Sequence, residues 1–215
     1  MKPILSDELE RLLRDERRIL GDVRMVLASC GATPEDQGVL RTSIEQLDAF
    51  FLLVVVGEFN AGKSAFINAL LGQSLLEEGV TPTTTEVVVI SHGDTIGRSS
   101  PEPTLRTRTA PIDLLRDLHI VDTPGTNAIM REHERITSEF VPRSDLVLFV
   151  TSADRPYTET ERQFLQRIAD WGKKVVIVVN KVDLLERPED VAAVKVFVTS
   201  NAATVLGLTP ELFCV

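Results

Sequence analysis

One short stretch constrains this chain more than any other. It reads Gly-Glu-Phe-Asn-Ala-Gly-Lys-Ser over residues 57 to 64, after an apolar run at 50 to 56 and before a helical pattern at 65 to 71. Its two glycines allow a tight turn, so that successive N–H groups and the start of the next helix can point at one anion. The pattern GxxxxGKS between a strand and a helix therefore predicts a phosphate-binding loop.

The residues of this loop have distinct expected roles. Lys63 supplies a positive charge for the β- and γ-phosphates of a nucleotide, and the Ser64 hydroxyl is suited to coordinate Mg²⁺. A glycine turn that matches the pattern by chance is the competing interpretation, and the motifs further along the chain weigh against it. The residues predicted to contact nucleotide here are Gly57, Glu58, Phe59, Asn60, Ala61, Gly62, Lys63, Ser64 and Ala65.

Composition argues against several other functions. The net charge of -9 and the dispersed basic residues disfavour general nucleic-acid binding, which needs clustered positive charge. The two cysteines, Cys30 and Cys214, lack metal-binding spacing, so we expect a reducing, cytoplasmic setting. The start of the chain is charged throughout, and its apolar runs are far shorter than the roughly 20 residues that cross a bilayer. We therefore predict a soluble chain, with any peripheral membrane contact made by another segment or a partner.

Two helices are predicted before the first strand. Residues 7 to 29 have leucines and valines at helical spacing, and Thr33 with Pro34 marks the start of a second helix that runs to about Asp48. Such a hairpin needs a surface on which to bury its apolar stripe. Packing on the rest of the chain and forming half of a helical bundle completed beyond Val215 are equally compatible with the sequence.

From Phe50 onward, short β-branched runs alternate with helical patterns, which is typical of a parallel sheet flanked by helices. The stretch 93–111, rich in proline and serine, is predicted to be a loop with at most a short edge strand near 105–109. The predicted fold class is α/β, a three-layer phosphate-loop fold with a mostly parallel central sheet behind a helical hairpin. Predicted strands span 51–56, 86–91, 118–122, 145–151, 174–179 and 211–215, and predicted helices span 63–71, 132–140, 158–171 and 188–205.

A threonine-rich segment, Thr81-Pro82-Thr83-Thr84-Thr85, follows the first helix of this pattern. A threonine hydroxyl at this point can complete a Mg²⁺ shell while its N–H meets the γ-phosphate, which would make the segment a sensor of nucleotide state. The competing interpretation is a turn that leads into a strand. Its position between the first helix and the second strand favours the functional interpretation.

A second motif, Asp122-Thr123-Pro124-Gly125, ends the apolar strand at 118–122. The carboxylate of Asp122 can hold Mg²⁺, and the N–H of Gly125 can bind the γ-phosphate, so loss of that phosphate would release the following loop. An isolated Asp-x-x-Gly is common. A buried strand before it makes the prediction of a metal and phosphate site much stronger.

A third motif, Asn180-Lys181-Val182-Asp183, directly follows the apolar run at 175–179. The carboxylate of Asp183 can accept hydrogen bonds from the N1–H and exocyclic amine of guanine, a pairing that adenine does not offer. Asn180, Lys181 and Asp183 are therefore predicted to read a guanine base. A polar turn after a strand is the competing interpretation.

Together, GEFNAGKS, DTPG and NKVD resemble the motif set of GTPases of the large phosphate-loop class. Longer stretches, among them VDTPGTNAI, LVLFVTSADRPYTETERQFL and WGKKVVIVVNKVDLL, are similar to bacterial dynamin-like GTPases, close to mitofusins and their chloroplast relatives. The resemblance implies a GTPase domain at 50–215 behind helices at 1–49 that match the family's first bundle helices. By the family's spacing it selects Thr84 as the switch threonine, with Thr83 and Thr81 as fallbacks.

The resemblance implies GTP and GDP as ligands, Mg²⁺ as cofactor, a homodimer through the GTPase domains and membrane remodelling. The chain departs from the family where it stops near Val215, because a guanine-contacting loop should begin there and the stalk and membrane-binding tip are missing. We therefore expect a truncated GTPase domain. The alternatives are a soluble regulatory GTPase of ribosome or RNA maturation, and a nucleotide-binding scaffold with little hydrolysis.

Two further expectations concern catalysis. Thr126 stands where many small GTPases place a glutamine that orients water, so slow hydrolysis by the isolated domain is expected. Cation-dependent GTPases that resemble this chain place an asparagine at the position of Asn60, where it helps bind K⁺. Loop stabilisation by Asn60 is equally compatible. Asp154 and Arg155 are candidates for contacts across a dimer, although a solvated turn explains them as well.

Overall fold

The computed structural model describes residues 7–31, 33, 51–79, 87–102, 105–124 and 140–215. The chain divides into two compact units, Met1–Phe51 and Leu52–Val215. In the first unit, helix α1 spans Asp7–Ser29, as the apolar spacing predicts. Its apolar stripe is largely exposed, with Ile19 at 54% and Val26 at 58%. The predicted second helix lies outside the described residues, apart from Thr33 at its start.

The second unit is built on a sheet that has eight strands in the described part of the chain. These strands are β1 (Leu52–Val56), β2 (Val87–His92), β3 (Gly97–Glu102), β4 (Leu105–Ala110), β5 (His119–Asp122), β6 (Leu146–Ser152), β7 (Val175–Asn180) and β8 (Glu211–Cys214). Their order across the sheet is β3-β4-β2-β5-β1-β6-β7-β8. The strands from β5 to β8 in this order are parallel to one another, whereas β2 is antiparallel to β5 and β3 is antiparallel to β4.

Helices α2 (Lys63–Leu71), α3 (Glu159–Asp170) and α4 (Pro188–Leu206) follow β1, β6 and β7 along the chain. The strands before them are apolar except for Thr151, Ser152 and Asn180 at their carboxyl ends, because both faces of a parallel sheet are covered. Val54, Val55 and Val56 of β1 and Ile177 of β7 are fully buried. The predicted α/β fold with a mostly parallel sheet is confirmed. Of the predicted helix at 132–140, only its last residue, Phe140, lies within the described residues.

The stretch 93–111 is predicted to be a loop with at most a short edge strand near 105–109. A strand is present there, as β4, but it lies inside the sheet, and the loop prediction is wrong at 97–102, which forms the outermost strand β3. The two strands form a hairpin, with Gly97 opposite Thr109 and Ser99 opposite Thr107. Strand β4 also pairs with β2 over its full length. Pro101 lies in β3, the outermost strand, where a missing N–H does not interrupt a ladder on both sides. Proline content therefore indicated an edge strand here and not an irregular loop.

Candidate functional site

The phosphate loop connects β1 to α2, and its glycines are needed for the local geometry. Gly57 has a φ of 153°, and a Cβ on it would lie 2.0 Å from the backbone oxygen of Val150. Gly62 has a φ of 85°, and a Cβ on it would lie 2.2 Å from Nδ2 of Asn180. Any larger residue at either position would push the loop away from β6 or from the Asn-Lys-x-Asp segment.

Lys63 is folded into the loop. Its side chain is 7% exposed, and its Nζ donates to the backbone oxygens of Gly57 at 3.1 Å and Glu58 at 2.9 Å. Burial lowers the pKa of Lys63 to about 8, against an opposing attraction from Asp122, Glu161 and Glu58. The ammonium group is thus a desolvated positive charge at the centre of the loop, which suits it to bind phosphate oxygens.

Asp122 lies at the end of β5, beside the start of α2. Its Oδ2 accepts a 2.8 Å hydrogen bond from the Ser64 hydroxyl, and the neighbouring Thr123 hydroxyl donates to the backbone oxygen of Val55 at 2.8 Å. Asp122 is fully buried, and its Oδ1 has no hydrogen-bond partner among the described residues. Burial raises the pKa of Asp122 to about 6, although Lys63 and Ser64 oppose the shift.

The pair formed by Asp122 and Ser64 fits a magnesium ion. An unpaired buried carboxylate oxygen is costly unless something satisfies it. Carboxylate and hydroxyl oxygens are hard ligands of the kind that Mg²⁺ takes, together with substrate phosphates. A buried oxygen pair next to Lys63 is therefore consistent with the predicted metal site.

The Asn-Lys-x-Asp segment touches the phosphate loop. The Asn180 Nδ2 donates to the backbone oxygen of Ala61 at 2.9 Å, and its Oδ1 accepts from the Lys181 N–H at 2.9 Å. Lys181 has a left-handed φ of 62°. Asp183 is exposed in the short 3-10 turn Val182–Leu184, and the N–H of Val182 donates to the backbone oxygen of Val215. The phosphate loop, Asp122 and the base-reading segment thus lie at one edge of the sheet.

Several predicted site residues lie outside the described residues, namely Thr81, Thr83, Thr84, Gly125 and Thr126. Asn60 is exposed, with a left-handed φ of 63° that asparagine tolerates better than most residues. Asp154 and Arg155 are exposed in the turn after β6, where the Ser152 hydroxyl donates to the Asp154 carboxylate. That hydrogen bond is the main cause of a lowered pKa for Asp154.

Sequence reasoning missed a buried group of polar residues behind the phosphate loop. Glu161 is 1% exposed, and its Oε2 accepts from the Thr151 hydroxyl at 2.9 Å and the Thr158 N–H at 3.0 Å. Thr158 in turn donates its hydroxyl to the carboxylate of Glu58. The Thr-x-x-Glu spacing of Thr158 and Glu161 is a capping-box pattern, which could have revealed the helix start but not the bond to Glu58.

A second missed group holds the segment after α2. The Asn68 Oδ1 accepts from the N–H groups of Leu75 and Leu76, both at 2.9 Å, while its Nδ2 donates to the backbone oxygen of Leu76. From β4, the buried Arg108 donates to the backbone oxygen of Leu75. The segment 73–79 leads directly to the predicted switch threonines. The side chains of Asn68 and Arg108 therefore hold the start of the segment that leads to these threonines.

Within the described residues, no group of three or more His, Cys, Asp or Glu side chains is arranged to hold a metal ion. Among the helices in that part of the chain, none has the length and apolar character needed to span a membrane. Both described cysteines are free, with Cys30 exposed.

Three features together define a phosphate-loop GTPase domain. They are the GxxxxGKS loop after β1, the aspartate that ends the neighbouring strand β5, and the Asn-Lys-x-Asp turn after β7. The family comparison agrees with that class. The chain belongs to the family described as 50S ribosome-binding GTPase, whose model matches residues 52–181.

Among its relatives, the chain is 38% identical over 210 residues to the probable transmembrane GTPase FZO-like, chloroplastic, of Arabidopsis thaliana, covering 94% of this chain and 23% of that protein. It is 28% identical over 209 residues to the tRNA modification GTPase MnmE of Thermotoga petrophila, covering 87% and 42%. It is 28% identical over 201 residues to the bacterial dynamin-like protein of Nostoc punctiforme, covering 73% and 29%. The chain spans less than half of the length of each of these relatives.

A solved structure has the same fold. It belongs to a study of an oligomerised bacterial dynamin pair described as sensing and tethering membranes, and it matches with a TM-score of 0.67 at 18% identity. The match covers 100% of this chain and 40% of that one. At this identity the likeness concerns the fold alone.

Proposed function

We propose that residues 50–215 form the GTPase domain of a dynamin-like protein that binds and hydrolyses GTP with Mg²⁺, preceded by bundle helices at 1–49. The observation that supports the site assignment best is the hydrogen bond from Ser64 to Asp122, beside Lys63 and an unpaired Asp122 oxygen. These groups combine the hydroxyl, carboxylate and ammonium that phosphoryl transfer requires.

In the proposed mechanism, this chain mainly orients and neutralises the nucleotide. The N–H groups of the loop and of the start of α2 bind the phosphates. Lys63 replaces its hydrogen bonds to the loop carbonyls with hydrogen bonds to phosphate oxygens. Ser64, Asp122 and Thr84 would hold Mg²⁺, which reduces the negative charge on the phosphates when it is bound. Thr84 and the Gly125 N–H would contact the γ-phosphate, so that its loss releases both loops.

Lys63→Ala tests the phosphate site. The variant should bind GDP and GTPγS at least about 100-fold more weakly, because it loses the positively charged side chain proposed to contact the phosphates directly. Isothermal titration calorimetry measures both affinities, and circular dichroism checks that the variant is folded. Lys195→Ala, an exposed lysine on α4, serves as the control. Unchanged nucleotide affinity in folded Lys63→Ala would overturn the phosphate-loop assignment.

Asp183→Asn tests the proposed base site. The carboxylate offers two acceptors to guanine, whereas an amide offers one acceptor and one donor, which complements xanthine better. We expect GDP affinity to fall and XDP affinity to rise, with the order of preference reversed. Asp170→Asn, at the exposed end of α3, is the matched control. Unaltered GDP affinity in Asp183→Asn would show that this carboxylate does not read the base.

The proposal extends to dimerisation and a peripheral membrane role for the longer protein. The names of the FZO-like and bacterial dynamin-like relatives support this extension. The exposed Asp154 and Arg155 follow β6 at the nucleotide edge, where a second GTPase domain could reach them. Addition of GDP and aluminium fluoride should double the mass of the domain measured by light scattering. Liposome co-sedimentation of the full-length protein separates this function from a soluble RNA-maturation GTPase, and a phosphate-release assay separates it from a scaffold.

A potassium ion bound with the help of Asn60 would neutralise charge that develops on the phosphates. The exposed position of Asn60 in the loop is compatible with this role. Turnover should then be faster in K⁺ than in Na⁺ at equal ionic strength, and Asn60→Ala should remove the difference. Equal rates in both salts for the unmutated protein would contradict the proposal.

A further inference from the structure

The phosphate loop contains a carboxylate, Glu58, which is unexpected next to bound phosphates. A negative charge there repels a nucleotide anion, so the charge itself does not favour binding. Its side chain is partly buried, and the Thr158 hydroxyl donates to Glu58 Oε1 at 2.5 Å. Thr158 lies 100 residues further along the chain, at the start of α3. Glu58 is therefore anchored to another element of the domain.

Thr158, which donates the hydrogen bond to Glu58, is itself held in place by further hydrogen bonds. Thr158 is the N-cap of α3, and its Oγ1 also accepts from the Glu161 N–H at 3.2 Å. Glu161 accepts from the fully buried Thr151 of β6, and Thr151 accepts from the Tyr157 N–H at 3.1 Å. Such a closed set of hydrogen bonds leaves Thr158 little freedom to move.

We propose that Glu58 is a positioning residue, whose bond to Thr158 holds the phosphate loop against the N-terminus of α3 in the conformation that receives phosphates. What matters is the reach of the carboxylate and its acceptor oxygen, not its charge. This inference rests on the proposed nucleotide site, since it assigns the loop's geometry to a contact outside the GxxxxGKS motif.

The charge and the hydrogen bond have opposite effects on nucleotide affinity, so substitutions at Glu58 can separate them. Glu58→Gln keeps an oxygen that accepts from Thr158 and removes the repulsive charge. Glu58→Asp keeps the charge but is one methylene too short to reach Thr158. Glu58→Ala removes both. If only the charge mattered, Gln and Ala would behave alike and Asp would resemble the unmutated protein.

The measurement is the dissociation constant of GTPγS with Mg²⁺ for each variant, determined by calorimetry. Glu58→Gln should bind about two- to threefold more tightly, because repulsion is relieved. Glu58→Asp should bind about five- to tenfold more weakly, because one hydrogen bond to a charged group is lost, and Glu58→Ala should bind about two- to fivefold more weakly, because relief of the repulsion offsets part of that loss. Equal affinities for all three variants, or weakening by Glu58→Gln as large as by Glu58→Asp, would overturn the inference.

Thr158 provides the second side of the test. Thr158→Ser keeps the hydroxyl and should leave the affinity unchanged, whereas Thr158→Gly keeps most of the N-cap preference, adds no charge and cannot donate to Glu58. Thr158→Gly should weaken GTPγS binding by about five- to tenfold in the unmutated protein and by less than about twofold in Glu58→Ala, because contacting residues do not contribute additively. Independent, additive losses would show that no coupling exists between the two residues.

The failure of this inference is distinguishable from a failure of the proposed function. If the unmutated protein binds GTPγS and Lys63→Ala does not, the nucleotide site stands whatever the Glu58 variants do. If the unmutated protein and Lys63→Ala bind GTPγS equally well, the nucleotide site itself is wrong. Melting temperatures measured on the same samples identify variants whose lower affinity reflects unfolding.

Discussion

The two halves of the sheet hold the nucleotide edge in different ways. In the half formed by β1, β6, β7 and β8, neighbouring strands are parallel, and β1, β6 and β7 have interior residues that are almost all buried valine, isoleucine, leucine or phenylalanine. Beside the half formed by β2, β3 and β4, the segment at 73–79 is held by two polar side chains: Asn68 of α2 accepts from the Leu75 N–H, and Arg108 of β4 donates to the Leu75 oxygen. Apolar packing thus positions the phosphate loop and the Asn-Lys-x-Asp segment, whereas a few polar side chains hold the segment that precedes the predicted switch threonines.

The largest effect is expected from a cavity in the apolar half. Ile177→Ala should lower the free energy of unfolding by about 3–4 kcal/mol, because this fully buried side chain of β7 leaves a void that its neighbours fill incompletely. Urea denaturation measures the change. Val196→Ala on α4, where the valine is 66% exposed, should change stability by less than about 0.5 kcal/mol. Similar losses for both variants would contradict the role assigned to packing.

A smaller loss is expected from Asn68→Ala in the polar half. This change leaves the N–H groups of Leu75 and Leu76 without their acceptor, at a cost of about 2–3 kcal/mol. Gln73→Ala, at an exposed position of the same segment, is the control and should change stability by less than about 0.5 kcal/mol. If the two variants are equally destabilised in urea, the Asn68 side chain is not what holds this segment.

Arg108→Met should cost less again, about 1–2 kcal/mol. Methionine replaces the buried stem of Arg108 but does not donate to the backbone oxygen of Leu75. Arg116→Met is a suitable comparison, because the side chain of Arg116 is 63% exposed and its ion pair with Asp113 contributes little. If Arg108→Met is as stable as Arg116→Met, segment 73–79 does not depend on Arg108 of β4.

Glu161→Gln is expected to have the smallest effect on stability when stability is measured at acid pH. Burial raises the pKa of Glu161 to about 7, despite opposing hydrogen bonds from Thr151 and from the Thr158 and Glu58 backbones, while the Glu58 charge adds to the shift. Near pH 4.5 the folded protein holds this carboxyl protonated, so glutamine should change stability by less than about 1 kcal/mol.

The difference between Glu161→Gln and the unmutated protein should grow with pH. The folded state retains a proton that the unfolded state releases above the ordinary pKa of 4.5, so stability falls as the pH rises from 4.5 to about 7 and this contribution is constant above that. Glutamine removes this slope. Thermal unfolding at several pH values measures both proteins, and parallel profiles would show that Glu161 does not titrate in this range.

The apolar half of the molecule was predictable because its signals are local. Each of these parallel strands is a short run of β-branched residues followed by a motif, so the predicted bounds of β1, β5 and β7 agree with the structure to within one or two residues. The Thr and Arg alternation of β4 predicts a short strand, but β3 was not predicted, because its serines and proline favour a loop. Edge strands tolerate such residues, and only tertiary pairing with β4 shows that this segment is a strand.

The polar contacts were not predictable because they join residues far apart in the sequence. Asn68 looks like an ordinary helix residue, and Arg108 like an exposed edge residue, until the fold brings Leu75 to both. Likewise, the bond from Thr158 to Glu58 joins a helix cap to the phosphate loop, which no spacing rule covers. The three nucleotide motifs indicated the site, but the side chains that position it became visible only in three dimensions.

The contact between Gly62 and Asn180 has a consequence for engineering nucleotide preference. Because the Asn180 amide occupies the space of a Cβ on Gly62 and donates to Ala61, it belongs to the phosphate loop as much as to the base-reading segment. Library designs that randomise Asn180 would therefore lose phosphate affinity together with base selectivity. The exposed turn that contains Asp183 is separate from this contact, so orthogonal nucleotide pairs are best sought by varying Asp183 while Gly62 and Asn180 are kept fixed.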